Sequence, residues 1–238
     1  LAASEATSNK IDMVTVGANS IENNGKLDVQ LIASFKDKNM KITAFGKPTD
    51  ATVQYGYKNL GKEGITSHST STRTEAIYAT NQNGSQYKLN IPADAKAWPI
   101  TTFETDASKD SQLSVHLPAL LATYQKSVDN IKINIPENGQ KTLNREVDFF
   151  AQKALIKSIK RISPTSAELV FQLNTGNEKN ISIRAFQVNS DNIKEISSEI
   201  TGDKAVMVLN FDKDINTADL EISWPQFVMN GNWTINLR

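Results

Sequence analysis

Residues 27–35 read LDVQLIASF, a stretch in which every second side chain is apolar. The apolar set begins at Leu27 and ends at Phe35, with Val29, Leu31 and Ala33 between them. Successive side chains of a β-strand point to opposite faces, so this alternation predicts a strand with one buried face and one solvent face. A half-buried strand is typical of antiparallel sheets and sandwiches rather than of parallel α/β sheets.

The same period of two returns along the chain. Further alternating stretches occupy residues 131–135, 167–173, 181–186, 206–211 and 233–237. Asn-Gly pairs lie between candidate strands at residues 24–25, 83–84 and 230–231. Asn and Gly tolerate the positive φ of a type I′ turn, so each pair predicts a hairpin. Many short strands separated by turns predict an all-β chain built from β-sandwiches.

Two segments also have helix-like features. Pro118–Val128 places Pro in a first-turn position before Ala, Leu and Leu, but residues 113–117 before it alternate, so an edge strand or irregular crossover competes with a helix. Asn144–Lys157 has a helix-compatible composition, yet its apolar residues fit strands equally well. We expect strands in the second segment and favour a non-helical structure in the first.

Composition excludes several classes of function. The chain has 238 residues, 26 basic and 26 acidic side chains, two histidines and no cysteine. Zero net charge argues against a dedicated nucleic-acid or anionic-membrane binder. The lack of cysteine excludes disulfides, thiolate metal sites and a cysteine nucleophile. No apolar run approaches the roughly 18–20 residues of a membrane span.

The length allows one large domain or two, and the turn after Pro136 favours two. We expect residues 1–10 to be a linker, residues 11–136 to form a first β-sandwich and residues 137–238 to form a second, with the boundary inside 127–144 at the turn that follows Pro136. The alternating strands predict that four side chains are buried: Val29, Leu31, Val170 and Leu209.

The charged motifs do not match a complete metal-binding or cofactor-binding motif. Asp212–Asn216 matches the start of a calcium loop, but Thr217 and Ser223 stand where the loop needs Gly and Glu, so a polar turn is favoured. Solvent-facing loop carboxylates explain a second acidic cluster, which comprises Glu104, Asp106 and Asp110. No nucleotide-binding glycine motif occurs. We therefore predict no metal and no cofactor.

Neither histidine lies in a sequence motif that indicates catalysis. His68 lies in the Ser/Thr-rich stretch 64–72, where we expect an exposed loop, and no G-x-S-x-G elbow accompanies it. His116 lies between Val115 and Leu117, which predicts the solvent side of a strand. We assign no catalytic residue and predict that the chain is not an enzyme.

The aromatic residues leave one alternative open. Candidates for a sugar-binding surface are Trp98, Trp224, Trp233, Tyr55 and Tyr57. In a strand over 52–57, Tyr55 and Tyr57 share one face with Val53. That face is either a stacking platform or a core face whose hydroxyls reach the rim. We expect Trp98 in an extended segment before Pro99, and Trp233 in the core.

Several stretches resemble a known family. These are LSVHLP at 113–118, VDNIKINIP at 128–136, ENGQKTLN at 137–144 and IKSIKRISPTSAELVF at 156–171. They are similar to the extracellular region of Gram-positive single-pass membrane proteins of the anti-sigma-factor type, with weaker likeness in residues 11–35. The resemblance implies immunoglobulin-like domains without assigned activity. It also implies a cytoplasmic segment and one membrane helix before Leu1.

Together these observations predict two immunoglobulin-like β-sandwich domains in tandem at a Gram-positive cell surface. The expected function is a non-enzymatic sensor or interaction module for an unknown protein or envelope ligand. We expect contact through an exposed strand edge and the polar loop Lys58–Arg73. The alternatives are a carbohydrate-binding or envelope-binding module, and a hydrolase, which needs two carboxylates about 5–9.5 Å apart in a cleft.

Overall fold

A computed structural model describes residues 4–7, 11–92 and 100–237. Within these ranges the chain has twenty β-strands and one turn of 3₁₀ helix, Gly61–Glu63. The prediction of an all-β chain is therefore confirmed. No helix in the described part is long and apolar enough to cross a membrane.

The strands follow one another with short connections. In chain order they are β1 (Ser4–Thr7), β2 (Val14–Asn23), β3 (Lys26–Phe35), β4 (Met40–Phe45), β5 (Thr52–Asn59), β6 (Ile65–Ser69), β7 (Ile77–Thr80), β8 (Gln86–Leu89), β9 (Ile100–Ser108), β10 (Ser114–Leu117), β11 (Leu120–Tyr124), β12 (Ser127–Asn134), β13 (Gln140–Asp148), β14 (Lys153–Ser163), β15 (Ser166–Gln172), β16 (Ile181–Asn189), β17 (Ile193–Thr201), β18 (Lys204–Phe211), β19 (Thr217–Met229) and β20 (Trp233–Asn236).

The chain forms two compact units, and each unit is discontinuous in sequence. Unit 1 comprises Leu1–Thr49, Arg73–Thr123 and Val228–Arg238, and unit 2 comprises Asp50–Thr72 and Tyr124–Phe227. The observed division therefore differs from the expected linear one into 11–136 and 137–238. The reason is strand pairing: β5 joins β17, far along the chain, and takes residues 50–72 into unit 2.

Unit 1 contains two four-stranded sheets, of order β1-β2-β3-β9 and β20-β10-β7-β8, and its strands β4 and β11 pair with each other. Asn24 and Gly25 both have positive φ, 52° and 80°, as the predicted type I′ turn between β2 and β3 requires. The expected linker 1–10 is wrong in part, because Ser4–Thr7 pairs with β2 as a strand. Strand pairing uses backbone groups, so this small polar segment needs no apolar pattern to join the sheet.

Unit 2 is built on a seven-stranded sheet of order β13-β14-β15-β18-β17-β5-β6. A second layer contains β12, β19 and β16, in which β19 pairs with both of its neighbours. The ring of Phe186 on β16 lies 4.9 Å from that of Phe149 and 5.1 Å from that of Phe171, both edge-on. These contacts pack β16 onto the seven-stranded sheet and mark the core of the unit.

Three of the four predicted core residues are buried: Val29, Leu31 and Leu209. The prediction for Val170 is wrong, because its side chain is only partly buried. Its neighbours Leu169 and Phe171 fill the core, and the alternation of the strand puts Val170 on the opposite face. Leu169, Val170 and Phe171 are consecutive and all apolar, so the sequence alone does not show which of them face the core.

Both segments with helix-like features form strands, as favoured from the sequence. Leu120–Tyr124 lies within 118–128, and Asn144–Lys157 covers the end of β13 and the start of β14. Apolar alternation in the surrounding sheets overrides local helix propensity here.

The predicted hairpin at Asn230-Gly231 is wrong. Strands β19 and β20 lie in different sheets, and neither Asn230 nor Gly231 has positive φ. Instead, Gly231 lies against the ring of Trp233, where an added Cβ would come within 2.3 Å of ring atoms. Trp233 is buried, as expected, and Gly231 is needed for this close approach.

A matched pair of valine substitutions tests the face assignment. Val29→Asp should lower the free energy of unfolding by about 3–5 kcal/mol, because it buries an unpaired carboxylate. Val170→Asp places the same group on the outer face and should cost about 1 kcal/mol. Urea unfolding measures both, and equal losses would contradict the assigned faces.

Candidate functional site

Three aromatic side chains that the sequence singles out come together in unit 2. Tyr55, Tyr57 and Trp224 line one cavity of about 210 Å³, which we call the aromatic cleft. Trp233 lies in the core of unit 1, and Trp98 falls outside the described residues.

The two tyrosines lie on the inner face of the seven-stranded sheet near its end. Tyr57 pairs with Ile196 and Tyr55 with Ser198, and both of these β17 partners are buried. Cross-strand partners share a face, so the tyrosines continue the core face. Both tyrosines are nevertheless only half-buried. Beyond them lies the fully exposed strand β6, which places only serine side chains beside their rings.

Trp224 reaches the cleft from the second layer of unit 2. Its side chain is 47% exposed, and its backbone has φ of +54°. Positive φ is costly for a bulky residue and persists only where the surroundings hold it. The backbone N–H of Trp224 donates to the backbone carbonyl oxygen of Lys126 at 3.0 Å, and this hydrogen bond fixes the backbone of Trp224. Residues in such strained conformations cluster at functional sites, which makes Trp224 a candidate.

Polar groups form the rim of the aromatic cleft. Gln187 and Asn189 of β16 and Glu221 of β19 line it and are exposed, while the lining residue Ser223 is buried. Amides, a carboxylate and a hydroxyl offer hydrogen-bond donors and acceptors around an apolar floor. The arrangement is suited to a ligand with an apolar face and a polar perimeter.

Burial raises the pKa of the Tyr55 hydroxyl, and the neighbouring Tyr57 adds to the rise. Desolvation disfavours the phenolate, so the hydroxyl keeps its proton beyond its ordinary range near pH 10. Tyr55 can therefore both donate and accept a hydrogen bond at neutral pH.

The raised pKa of Tyr55 makes stability depend on pH. The folded state holds the proton more tightly than the unfolded chain, so this contribution is complete below about pH 10 and is lost as pH rises through the folded pKa. The fall in unfolding free energy between about pH 8 and about pH 11 should be smaller in Tyr55→Phe than in the wild type. The exposed Tyr78→Phe is the control, and an equal change in both variants would contradict the cause.

Strand β6 is the last strand of the seven-stranded sheet. In the described part of the chain it pairs only with β5, and all five of its residues are exposed. It lies inside the polar loop Lys58–Arg73, where we expected contact with a partner. His68 is exposed as predicted, but it lies on this strand rather than in a loop.

The hydrogen-bond pattern of the β5–β6 pair shows which backbone groups face outward. Leu60 N–H donates to the Gly64 oxygen at 2.8 Å. Thr70 N–H donates to the Gln54 oxygen at 2.9 Å. Antiparallel pairs alternate, so the even-numbered residues of β6 bond to β5. The N–H and C=O groups that point to the free edge belong to Ile65, Ser67 and Ser69.

Both histidine rings make contacts within the fold. The His68 ring covers Gly56, where an added Cβ would lie 2.0 Å from the ring Cε1, on the face opposite to the tyrosines. His116 lies on the solvent side of β10 in unit 1, as predicted, with its Nδ1 3.3 Å from the hydroxyl of Thr234. Both rings have structural contacts that account for their positions.

Part of the predicted acidic cluster does assemble in unit 1. Glu104 and Asp106 line a cavity of about 320 Å³ together with Asp28, and Asp110 is not among the lining residues. Lys26 Nζ lies 2.5 Å from Asp106 Oδ1, which raises the pKa of Lys26 and lowers that of Asp106. Both groups are exposed, so the pair adds little stability. No aromatic residue lines this cavity, unlike a sugar-hydrolysing cleft.

The calcium-like stretch at Asp212–Asn216 remains assigned to a turn. Across the described ranges, no three side chains of His, Cys, Asp or Glu are arranged to hold a metal ion. We expect the melting temperature to be the same in excess Ca²⁺ and in excess EDTA. A higher melting temperature in Ca²⁺ than in EDTA would reveal a calcium site at this turn if Asp212→Asn abolished the difference.

Comparison of the chain with protein-family models, with curated proteins and with solved structures finds no match.

Proposed function

We propose that the chain is a non-enzymatic interaction module that binds an extended polypeptide segment along β6. The observation that carries the proposal is the open, uncharged edge of the seven-stranded sheet at Ile65–Ser69. Three outward N–H groups and three outward C=O groups alternate there. An added strand satisfies all of them with backbone hydrogen bonds.

The opposite edge of the same sheet supports this choice. Strand β13 carries Lys141, Arg145 and Glu146, and charges are the usual means by which proteins block unwanted strand pairing. Strand β6 reads ITSHS and has neither a formal charge nor a proline. Its one large apolar side chain, Ile65, is 64% exposed. The sheet is thus protected at one end and open at the other.

The tandem immunoglobulin-like architecture and the cell-surface location are part of the same proposal. The all-β fold is what supports the architecture, and the proposed location rests only on the resemblance of residues 113–173 to the outer region of anti-sigma-factor-type proteins. In the proposed arrangement a membrane anchor precedes Leu1 in the full-length protein. The coding region upstream tests this, since an apolar segment of about 20 residues is required.

Removing one outward N–H tests the proposed binding edge. Short random peptides displayed on phage are selected on the wild-type chain, and the selected sequences are synthesised. Ser67→Pro removes an N–H that faces solvent, a place where an edge strand tolerates proline. We expect peptide affinity to fall at least about tenfold, which is about 1.4 kcal/mol.

Ser67→Ala is the matched control, because it removes the hydroxyl and keeps the N–H group. It should bind the peptides as the wild type does. Unchanged melting temperatures establish that both variants fold. Equal peptide binding by Ser67→Pro and the wild type, or a failure to select any peptide, would reject the β6 edge.

A further inference from the structure

We propose that the aromatic cleft is a second binding site, for a neutral pyranose oligosaccharide. The site is formed by Tyr55, Tyr57 and Trp224 with the polar rim of Gln187, Asn189 and Glu221. It uses side chains of the inner sheet face, whereas the peptide site uses the backbone edge of β6. The two proposals therefore stand on different observations.

The aromatic floor of the cleft matches one side of a sugar. A pyranose ring has an apolar face of C–H groups and a perimeter of hydroxyls. Tyrosine and tryptophan present flat apolar rings with one polar atom each, which suits such a mixed surface. Tyr55 and Tyr57 are two residues apart on one strand, so their Cα atoms are about 7 Å apart. That spacing is comparable to one pyranose residue.

The rim matches the hydroxyls of the same ring. Two carboxamides can donate and accept hydrogen bonds and a carboxylate can accept them, and sugar hydroxyls need such partners. The neutral Tyr55 hydroxyl adds a donor inside the cleft. A polyhydroxyl ligand can form hydrogen bonds with these groups and a purely apolar ligand cannot, so the rim favours a polyhydroxyl ligand.

The neighbouring cavity sets the length and charge of the ligand. A cavity of about 450 Å³ shares Asn189 and Glu221 with the cleft and is also lined by Lys132, Asp191 and Asp219. The cleft itself is smaller than the roughly 300–1,000 Å³ of pockets for drug-sized molecules, so it holds one part of a longer chain. Three carboxylates against one lysine disfavour an anionic glycan. A neutral oligosaccharide fits both cavities.

The backbone conformation of Trp224 holds its ring at the cleft. Its φ of +54° is costly, and the side chain it presents is nearly half exposed. Phe150 combines the same features away from the cleft, so the place of the Trp224 ring among the lining residues is what distinguishes it. The strain is understandable if the ring must stand in the cleft.

The test uses cellohexaose and chitohexaose as probes, with calorimetry and tryptophan fluorescence as readouts. We expect the wild type to bind at least one of them with a Kd of about 1 mM or tighter. Trp224→Asn removes the ring, and Asn tolerates the left-handed backbone. This variant should bind at least about tenfold more weakly, which is about 1.4 kcal/mol.

Phe150→Asn is the matched control. Phe150 is also an exposed aromatic in unit 2 at positive φ, 43% exposed with φ of +79°, and it does not line the cleft. The Phe150→Asn variant should bind the oligosaccharide as tightly as the wild type does. Preference between the two probes tells whether acetamido groups are recognised.

Three outcomes would overturn the saccharide site. They are no binding of either probe, equal binding by Trp224→Asn and the wild type, and an equal loss in Phe150→Asn. If the wild type binds neither saccharide and Trp224→Asn loses the peptide binding assigned to β6, the cleft is reassigned to a protein partner. Failure of the β6 peptide selection alone leaves this oligosaccharide test unaffected.

Discussion

The pairing of Thr52–Asn59 with Ile193–Thr201 is the constraint on which both proposed sites depend. It attaches residues 50–72 to the seven-stranded sheet and so supplies the two cleft tyrosines and the open strand β6. Side chains reinforce the pairing at exposed positions: Thr52 Oγ1 lies 2.9 Å from Thr201 Oγ1, and Gln54 donates to Glu199 at 3.0 Å. The buried Ile196 and Ile200 add apolar contact on the other face.

Local pattern predicts the alternating strands but not this pairing, and it does not predict β1 or β6. The alternation of 27–35 and the Asn24-Gly25 turn define β2 and β3, because the hairpin partners are adjacent in sequence. The partners β5 and β17 are separated by more than a hundred residues, and nothing in either stretch names the other. The predicted linear division of domains fails for this reason.

The candidate site was visible in the sequence only as a set of residue types. The shared face of Tyr55 and Tyr57 follows from the period of two. The position of Trp224 beside the two tyrosines does not follow from this period. It requires β19 to lie over the end of β5 and to adopt a positive φ at Trp224. The polar rim from β16 carried no local signal at all. Sequence pattern thus predicts which side chains share a strand face, whereas the assembly of a cleft depends on non-local packing.

The two proposed sites share one row of side chains, which has a thermodynamic consequence. Ser67 and Ser69 pair with Tyr57 and Tyr55, so all four side chains lie on the same face of the sheet. A strand added beyond β6 extends this face and places its own side chains next to the serines. Those side chains would contact a saccharide in the cleft or compete with it for space. Binding at either site then changes the affinity at the other by the same factor, since coupling between two sites is reciprocal.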